Sequence, residues 1–289
     1  MSAPASEWRF DAIGTGWTIH TEAPLPSDAR AAVTTVIEAF DRDWSRFRDD
    51  SLIAALARDC GTVPAPSDTA AMMDAYVALS EATGGAVNPL VGQALARRGY
   101  DARYSLVDRG AEPAPADWRN LLTWSAAELS VARPATIDVG ALGKGRLVDA
   151  VGAALEPWID GDITIDASGD LAITGTERVA LEHPYDATRA IGIWEVTDRA
   201  LCASAVNRRA WGDGLHHVLD ARTGEPVRTI AATWAVAPDA MHADAIATAL
   251  FFDGGPKLAH QWCVEWVRMT TDGSVEWSPG CSAELFVRR

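Results

Sequence analysis

The sequence predicts a mixed α+β fold, with mixed sheets flanked by helices in a single compact, two-lobed domain over residues 1–289. Three observations carry this reading. Helical and strand-like hydrophobic periods both occur, but without the regular βαβ alternation of a parallel sheet. The chain is long enough for one large domain or two intimate lobes with an ample core. No solenoid repeat and no low-complexity segment divides it.

Residues 8–20 read as a strand broken at Gly14-Thr15-Gly16. Residues 28–44 read as an amphipathic helix, with Val33, Val36, Ile37, Phe40 and Trp44 at spacings of three and four and Asp28 as its cap. A polar loop, 45–50, leads to a short helix from Ser51, and a third helix spans 68–82, with Gly84-Gly85 as its C-terminal stop. Proline and polar residues make 100–120 a surface connection. Leu147, Val148, Val151 and Leu155 mark a further helix. Strands are expected at 162–166, 171–174, 191–196 and 229–237, a helix at 241–252, and closing strands at 262–270 and 284–288.

Composition excludes several function classes. A net charge of −15 disfavours a nucleic-acid or anionic-membrane binder, though not a small phosphorylated ligand, because charge at a site is local. The four cysteines form no CxxC pair, which argues against structural zinc and fits a reducing compartment. The first residues lack a basic and an apolar export region, and no run reaches the roughly 20 apolar residues of a membrane span. A cytoplasmic protein without membrane insertion is the expectation.

Four constellations bear on chemistry. Asp138-Val139-Gly140-Ala141-Leu142-Gly143-Lys144-Gly145 sets a carboxylate, glycines and a lysine ahead of a helix, which suits a phosphate-bearing ligand. Its spacing is neither that of a P-loop nor GxGxxG, so a glycine-rich helix cap remains the alternative. In Met241–Leu250, Asp244 and Thr248 are i and i+4 on one helix face, offering hard oxygens suited to magnesium; an exposed Asp beside a back-bonding Thr is the other reading. His216-His217 precedes a turn from Asp220 to Gly224 and supplies either a general base or a structural strand-edge histidine. Asp166-Ala167-Ser168-Gly169-Asp170 is a tight turn that positions backbone amides or merely closes a hairpin. Ser204 lacks the glycines of a nucleophile elbow.

The order of these segments resembles the FAD:protein FMN transferase family, also called ApbE, over residues 11–255. Ala12-Ile13-Gly14-Thr15 resembles Met-Gly-Thr, and Ser45-Arg46-Phe47-Arg48-Asp49-Asp50-Ser51 resembles Ser-x-Tyr-Arg-x-Asp-Ser. Gly85-Ala86-Val87-Asn88-Pro89 resembles Gly-Ala-Phe-Asp-Pro, and Asp138–Gly145 resembles Asp-Leu-Gly-Gly-Ile-Ala-Lys-Gly. Ser168-Gly169-Asp170, His217–Gly224 and Ala243–Leu250 resemble three further family motifs.

The resemblance implies an ApbE-like fold that moves FMN from FAD, with Mg2+, onto a Ser or Thr hydroxyl of an acceptor flavoprotein, releasing AMP. It implies metal ligands at Asp244, Thr248 and the Ala141 carbonyl, and His217 as the catalytic base. FAD contacts are implied at Ile13, Phe47, Ala86, Val87, Asn88, Asp138, Lys144 and Val218, with Phe47 stacking on an FAD ring. The departures are Ile13 for Met, Phe47 for Tyr, Asn88 for Asp, Ala221 for Pro, and Ser204-Ala205-Val206-Asn207 in place of a Ser-Gly segment. A Mg2+-dependent FAD pyrophosphatase giving FMN and AMP, and a non-enzymatic FAD-binding protein, are the alternatives.

Overall fold

An eight-stranded, wholly antiparallel sheet runs through the computed structural model, which describes residues 6–286. Its strands lie in the order Ser6–Ala12, Thr15–Thr21, Ile163–Asp166, Asp170–Thr174, Ala200–Ala205, Ile230–Ala237, Glu265–Thr270 and Val275–Trp277. The helices, in chain order, are α1 (Ser27–Trp44), α2 (Leu52–Asp59), α3 (Thr69–Ala82), α4 (Gly92–Arg97), α5 (Trp118–Leu121), α6 (Gly143–Leu155), α7 (Ala240–Ala249) and α8 (Gly255–Gln261).

The centre of the sheet is buried on both sides, and its sequence shows it. Ile230–Ala237 is buried at every position, as a central strand covered on two faces must be. Beyond a register shift at Ile230/Ala232, Trp234 and Val236 pack in one core cluster while Ala235 and Ala237 pack in the other. The larger cluster joins the sheet to α1, α3, α6 and α7. The smaller lies against a second sheet, in which Asp186–Thr197 pairs with Thr176–His183 and Glu284–Leu285. A small sheet of Gly61–Pro64, Leu122–Trp124 and Glu128–Val131 and two two-stranded ribbons complete the mixed α+β architecture.

Several expectations shift at their edges. Asp28 lies in the first turn of α1 rather than capping it; Pro26 holds the cap position. Residues 8–20 form a two-stranded hairpin whose turn is Ile13-Gly14, with φ of 46° and 75°. The expected strand at 191–196 extends to Asp186–Thr197, and 284–288 shortens to Glu284–Leu285, with 287–289 outside the described residues. Two elements had weak local signals. Ala200–Ala205 is a short alanine-rich segment that becomes a strand because both neighbours pair with it. The segment 100–120 is not merely a surface connection, since it ends in α5 and contributes two tyrosines to the cavity described below.

The contact that positions the site is between α6 and α7. One face of α6 presents Gly145 and, one turn later, Asp149. The Asp149 carboxylate accepts from the backbone N–H groups of Ala240 and Met241, at 2.7 and 3.0 Å, fixing the start of α7. At Gly145 the two backbones approach so closely that a Cβ would lie 2.1 Å from the Ala240 carbonyl oxygen and 2.8 Å from the Asp244 Cβ. Gly145→Ala is therefore expected to destabilise the protein by about 3 kcal/mol, because backbone must move to make room. Chemical denaturation measures this, and an unchanged midpoint would refute the close-approach argument. No helix among the described residues is long and apolar enough to cross a membrane.

Candidate functional site

A cavity of about 1160 Å³ opens between the sheet, α6, α7 and the loops around Phe47, Val87 and Tyr104. It exceeds the roughly 300–1,000 Å³ of drug-sized sites and suits an extended ligand. All of the sequence-derived site residues line it: Ile13, Phe47, Ala86, Val87, Asn88, Asp138, Ala141, Lys144, His217, Val218, Asp244 and Thr248.

At its floor is a buried charge cluster. Lys144, in the first turn of α6, reaches Asp170 at 3.1 Å, and Asp170 is only 1% exposed. Asp244, 4% exposed, accepts from the Gly145 N–H at 3.0 Å. Burial, and then the Asp170 charge, hold the Asp244 carboxyl well above its ordinary range; Lys144 offsets only part of this. Asp170 is likewise raised by burial against the opposing pull of Lys144. Burial draws the Lys144 ammonium down, but Asp170 and Asp244 outweigh it and the net shift is upward. Two carboxylates thus face one ammonium. Asp244, Thr248 and Ala141 line the same cavity, and carboxyl, hydroxyl and backbone carbonyl oxygens are hard donors. Among the described residues, no group of three or more His, Cys, Asp or Glu is gathered to hold a metal.

The glycine-lysine segment is held from behind. Tyr76 donates to the Asp138 carbonyl at 3.0 Å and receives the Ala141 N–H at 3.4 Å. The Asp138 side chain accepts from the Gly140 N–H at 2.8 Å and from the Arg46 Nε. Asp138 is therefore ion-paired as well as cavity-lining. Asn88 is also spoken for: its amide donates to the Pro115 carbonyl and its oxygen accepts from the Leu90 N–H, so it shapes the loop behind Ala86 and Val87. Ile13 takes a left-handed φ of 46°, an outlier for a β-branched residue, which places the hairpin turn at the cavity wall.

His217 lies between the short strands Leu215–His216 and Leu219–Asp220. Its Nδ1 is buried without a hydrogen-bond partner among the described residues. Burial, then the positive charge of Arg209, then His216, lower its pKa from 6.5 to about 3, so the ring is neutral at ordinary pH. His216, by contrast, is structural: its Nε2 bonds the Val227 carbonyl at 2.8 Å and its Nδ1 accepts from the Val218 N–H. Val218 is buried beside it.

A model of the ApbE family matches residues 13–266. The chain belongs to the ApbE family. Over 264 residues it is 27% identical to the FAD:protein FMN transferase of Treponema pallidum (strain Nichols), covering 78% of this chain and 71% of that protein. It is 29% identical over 161 residues to the FAD:protein FMN transferase of Rhodobacter capsulatus, covering 52% of this chain and 31% of that one. Among solved structures, the ApbE protein of Thermotoga maritima superposes with a TM-score of 0.81 at 22% identity, covering 95% of this chain and 97% of its own. The flavin transferase ApbE of Vibrio cholerae gives 0.76 at 21%, covering 95% and 98%. These two show the shared ApbE fold.

Within this ApbE-family site, several residues escaped the sequence reading. Arg46 sits in the polar loop, its guanidinium 4.1 Å from the Phe47 ring centre and 4.8 Å from that of Tyr100. Asp170 was read as part of a tight turn and of a Gly-Gly-Asp-like motif but was given no site role, and Arg209 carried no local signal. Tyr100 and Tyr104 lie in a stretch whose composition read as surface. Phe47 itself already carries an aromatic neighbour, since Tyr104 stacks on it with ring centres 5.2 Å apart.

Proposed function

We propose that this ApbE-family protein is a Mg2+-dependent FAD:protein FMN transferase that moves FMN from FAD to a Ser or Thr hydroxyl of an acceptor flavoprotein and releases AMP. The observation that carries the reading is the single cavity that gathers Lys144, Asp170, Asp244, Thr248 and the unpartnered His217. Relatives named FAD:protein FMN transferase support it.

Asp244, Thr248 and the Ala141 carbonyl would hold the cation. When bound, magnesium neutralises charge on the pyrophosphate. Lys144, kept charged and oriented by Asp170, pairs with a phosphate oxygen. Ile13, Phe47, Ala86, Val87, Asn88, Asp138 and Val218 shape the walls that hold the rest of FAD. His217, neutral because it is desolvated beside Arg209, accepts the hydroxyl proton at Nδ1. The acceptor oxygen forms a bond to the FMN phosphorus, the bond from that phosphorus to the bridging oxygen breaks, and AMP leaves with that oxygen. The four cysteines are free thiols, in keeping with work in the cytoplasm. The net charge of −15 sets nucleic acid aside as a partner.

Incubation of the protein with FAD, Mg2+ and a candidate acceptor protein tests this. Flavin that stays on the denatured acceptor, with AMP in equal amount, is the expected result. Free FMN and AMP with no flavin on any acceptor tried would favour hydrolysis, and FAD recovered unchanged would favour a carrier.

A further inference from the structure

The loop after α4 has features that packing does not require. Tyr104 is 50% exposed, yet its ring lies over the cavity, parallel to Phe47 within 4° at 5.2 Å. Tyr100 meets both rings edge-on, at 5.3 and 5.6 Å, closing the back of the pair. The inner wall is buttressed: Arg46 covers Phe47 and donates to the Tyr100 carbonyl at 2.7 Å. The outer wall is held differently. Tyr104 takes a φ of 49° and Leu106 one of 53°, conformations that cost energy in bulky residues.

The loop over-determines them. The Asp101 side chain accepts from the N–H groups of Arg103 and Ser105, each at 3.0 Å, and the Leu106 N–H bonds the Gly99 carbonyl at 2.9 Å. Strain spent on holding a half-exposed ring above a cavity points to a ligand. Across the opening, the Tyr104 hydroxyl faces the hairpin turn, 3.7 Å from where a Gly14 Cβ would stand.

We propose that Phe47 and Tyr104 are the two walls of a slot that grips a planar heteroaromatic ring of the dinucleotide, making Tyr104 a specificity-determining residue. The proposal rests on FAD being the substrate, as argued above. A ring inserted between two others needs about 7 Å between them, two contacts of about 3.5 Å each. The two ring centres stand only 5.2 Å apart, so Tyr104 moves outward by at least about 2 Å on binding, and its half-exposed ring leaves room for that. The observations fit either the isoalloxazine or the adenine ring, since both present the same flat π-face.

Quenching of flavin fluorescence, on the full chain with Mg2+, gives the FAD affinity of Tyr104→Ala, Tyr104→Leu and Tyr104→Phe. The Ala and Leu variants are expected to bind FAD about ten-fold more weakly, and Phe as wild type does, because stacking needs the ring and not the hydroxyl. Melting midpoints should not move, since the ring is half exposed. FMN and ADP as separate probes assign the ring: the loss should fall on one and spare the other. Unchanged or tighter FAD binding in Tyr104→Ala would overturn the proposal, the latter marking Tyr104 as a plug. So would a Phe variant as weak as Ala, or equal losses for FMN and ADP. In those cases wild-type FAD binding stays intact, so the substrate reading survives; a wild type that binds no FAD removes both.

Discussion

Asp244→Ala is expected to lower Mg2+-dependent FMN transfer about a thousand-fold or more while leaving the protein folded. The loss follows from its place in the cluster. Asp244 supplies the carboxylate among the proposed cation ligands, and a metal at a breaking pyrophosphate contributes several kcal/mol, each 1.36 kcal/mol being ten-fold in rate. The intact fold follows from the same geometry. Asp244 is buried next to Asp170, and its carboxyl is raised well above the ordinary range by that burial first and by Asp170 second. Removing it gives up one hydrogen bond, from Gly145, but relieves a crowded pair of carboxylates.

The sign with pH is fixed by the direction of the shift. A group that holds its proton more tightly when folded stabilises the fold below its unfolded pKa. That contribution falls away as pH rises through the higher folded value. The wild type should thus lose stability over that interval, and Asp244→Ala should lose less. Steady-state transfer at saturating FAD, with thermal melts at several pH values, measures both. Full activity in Asp244→Ala would remove the metal assignment.

His217→Ala is expected to slow transfer by 10²–10⁴-fold, the usual range for a positioned proton acceptor, with FAD affinity changed far less. A loss confined to FAD affinity would rule His217 out as the base. Its pKa, lowered from 6.5 to about 3, adds a second signature. In the free enzyme His217 is already deprotonated at pH 6.5, so kcat/KM should show no acid limb at that value from this residue. Stability follows the opposite course to Asp244. The unfolded chain takes up a proton below 6.5 and the folded one does not until about 3, so stability is full above 6.5 and is lost as pH falls through that window. His217→Ala should flatten this acid loss. A wild-type kcat/KM that halves near pH 6.5 and stays flat in His217→Ala would contradict the depressed value.

Much of the fold was legible where local pattern and tertiary environment agree. The apolar spacing of α1 and α6 and the Asp244/Thr248 spacing on α7 follow from helical period. Ala200–Ala205 was not legible as a strand, because its alanines have little strand preference of their own and its partners come from residues 170–174 and 230–237. The segment 100–120 misled for the opposite reason. Its polar and proline-rich composition is that of a surface loop, yet the loop folds back to lay Tyr100 and Tyr104 on Phe47.

The sequence by itself determined which residue types were present and in what order: the glycine-lysine turn, the carboxylate and hydroxyl one helical turn apart, and the histidine ahead of its turn. Those are properties of neighbours along the chain. Only the tertiary structure decided that Lys144 answers to Asp170, that Asp244 is crowded by a second carboxylate, that His217 is held neutral and that Phe47 faces Tyr104. Charge state and stacking depend on desolvation and on groups close in space, and the groups that matter here come from segments far apart in sequence.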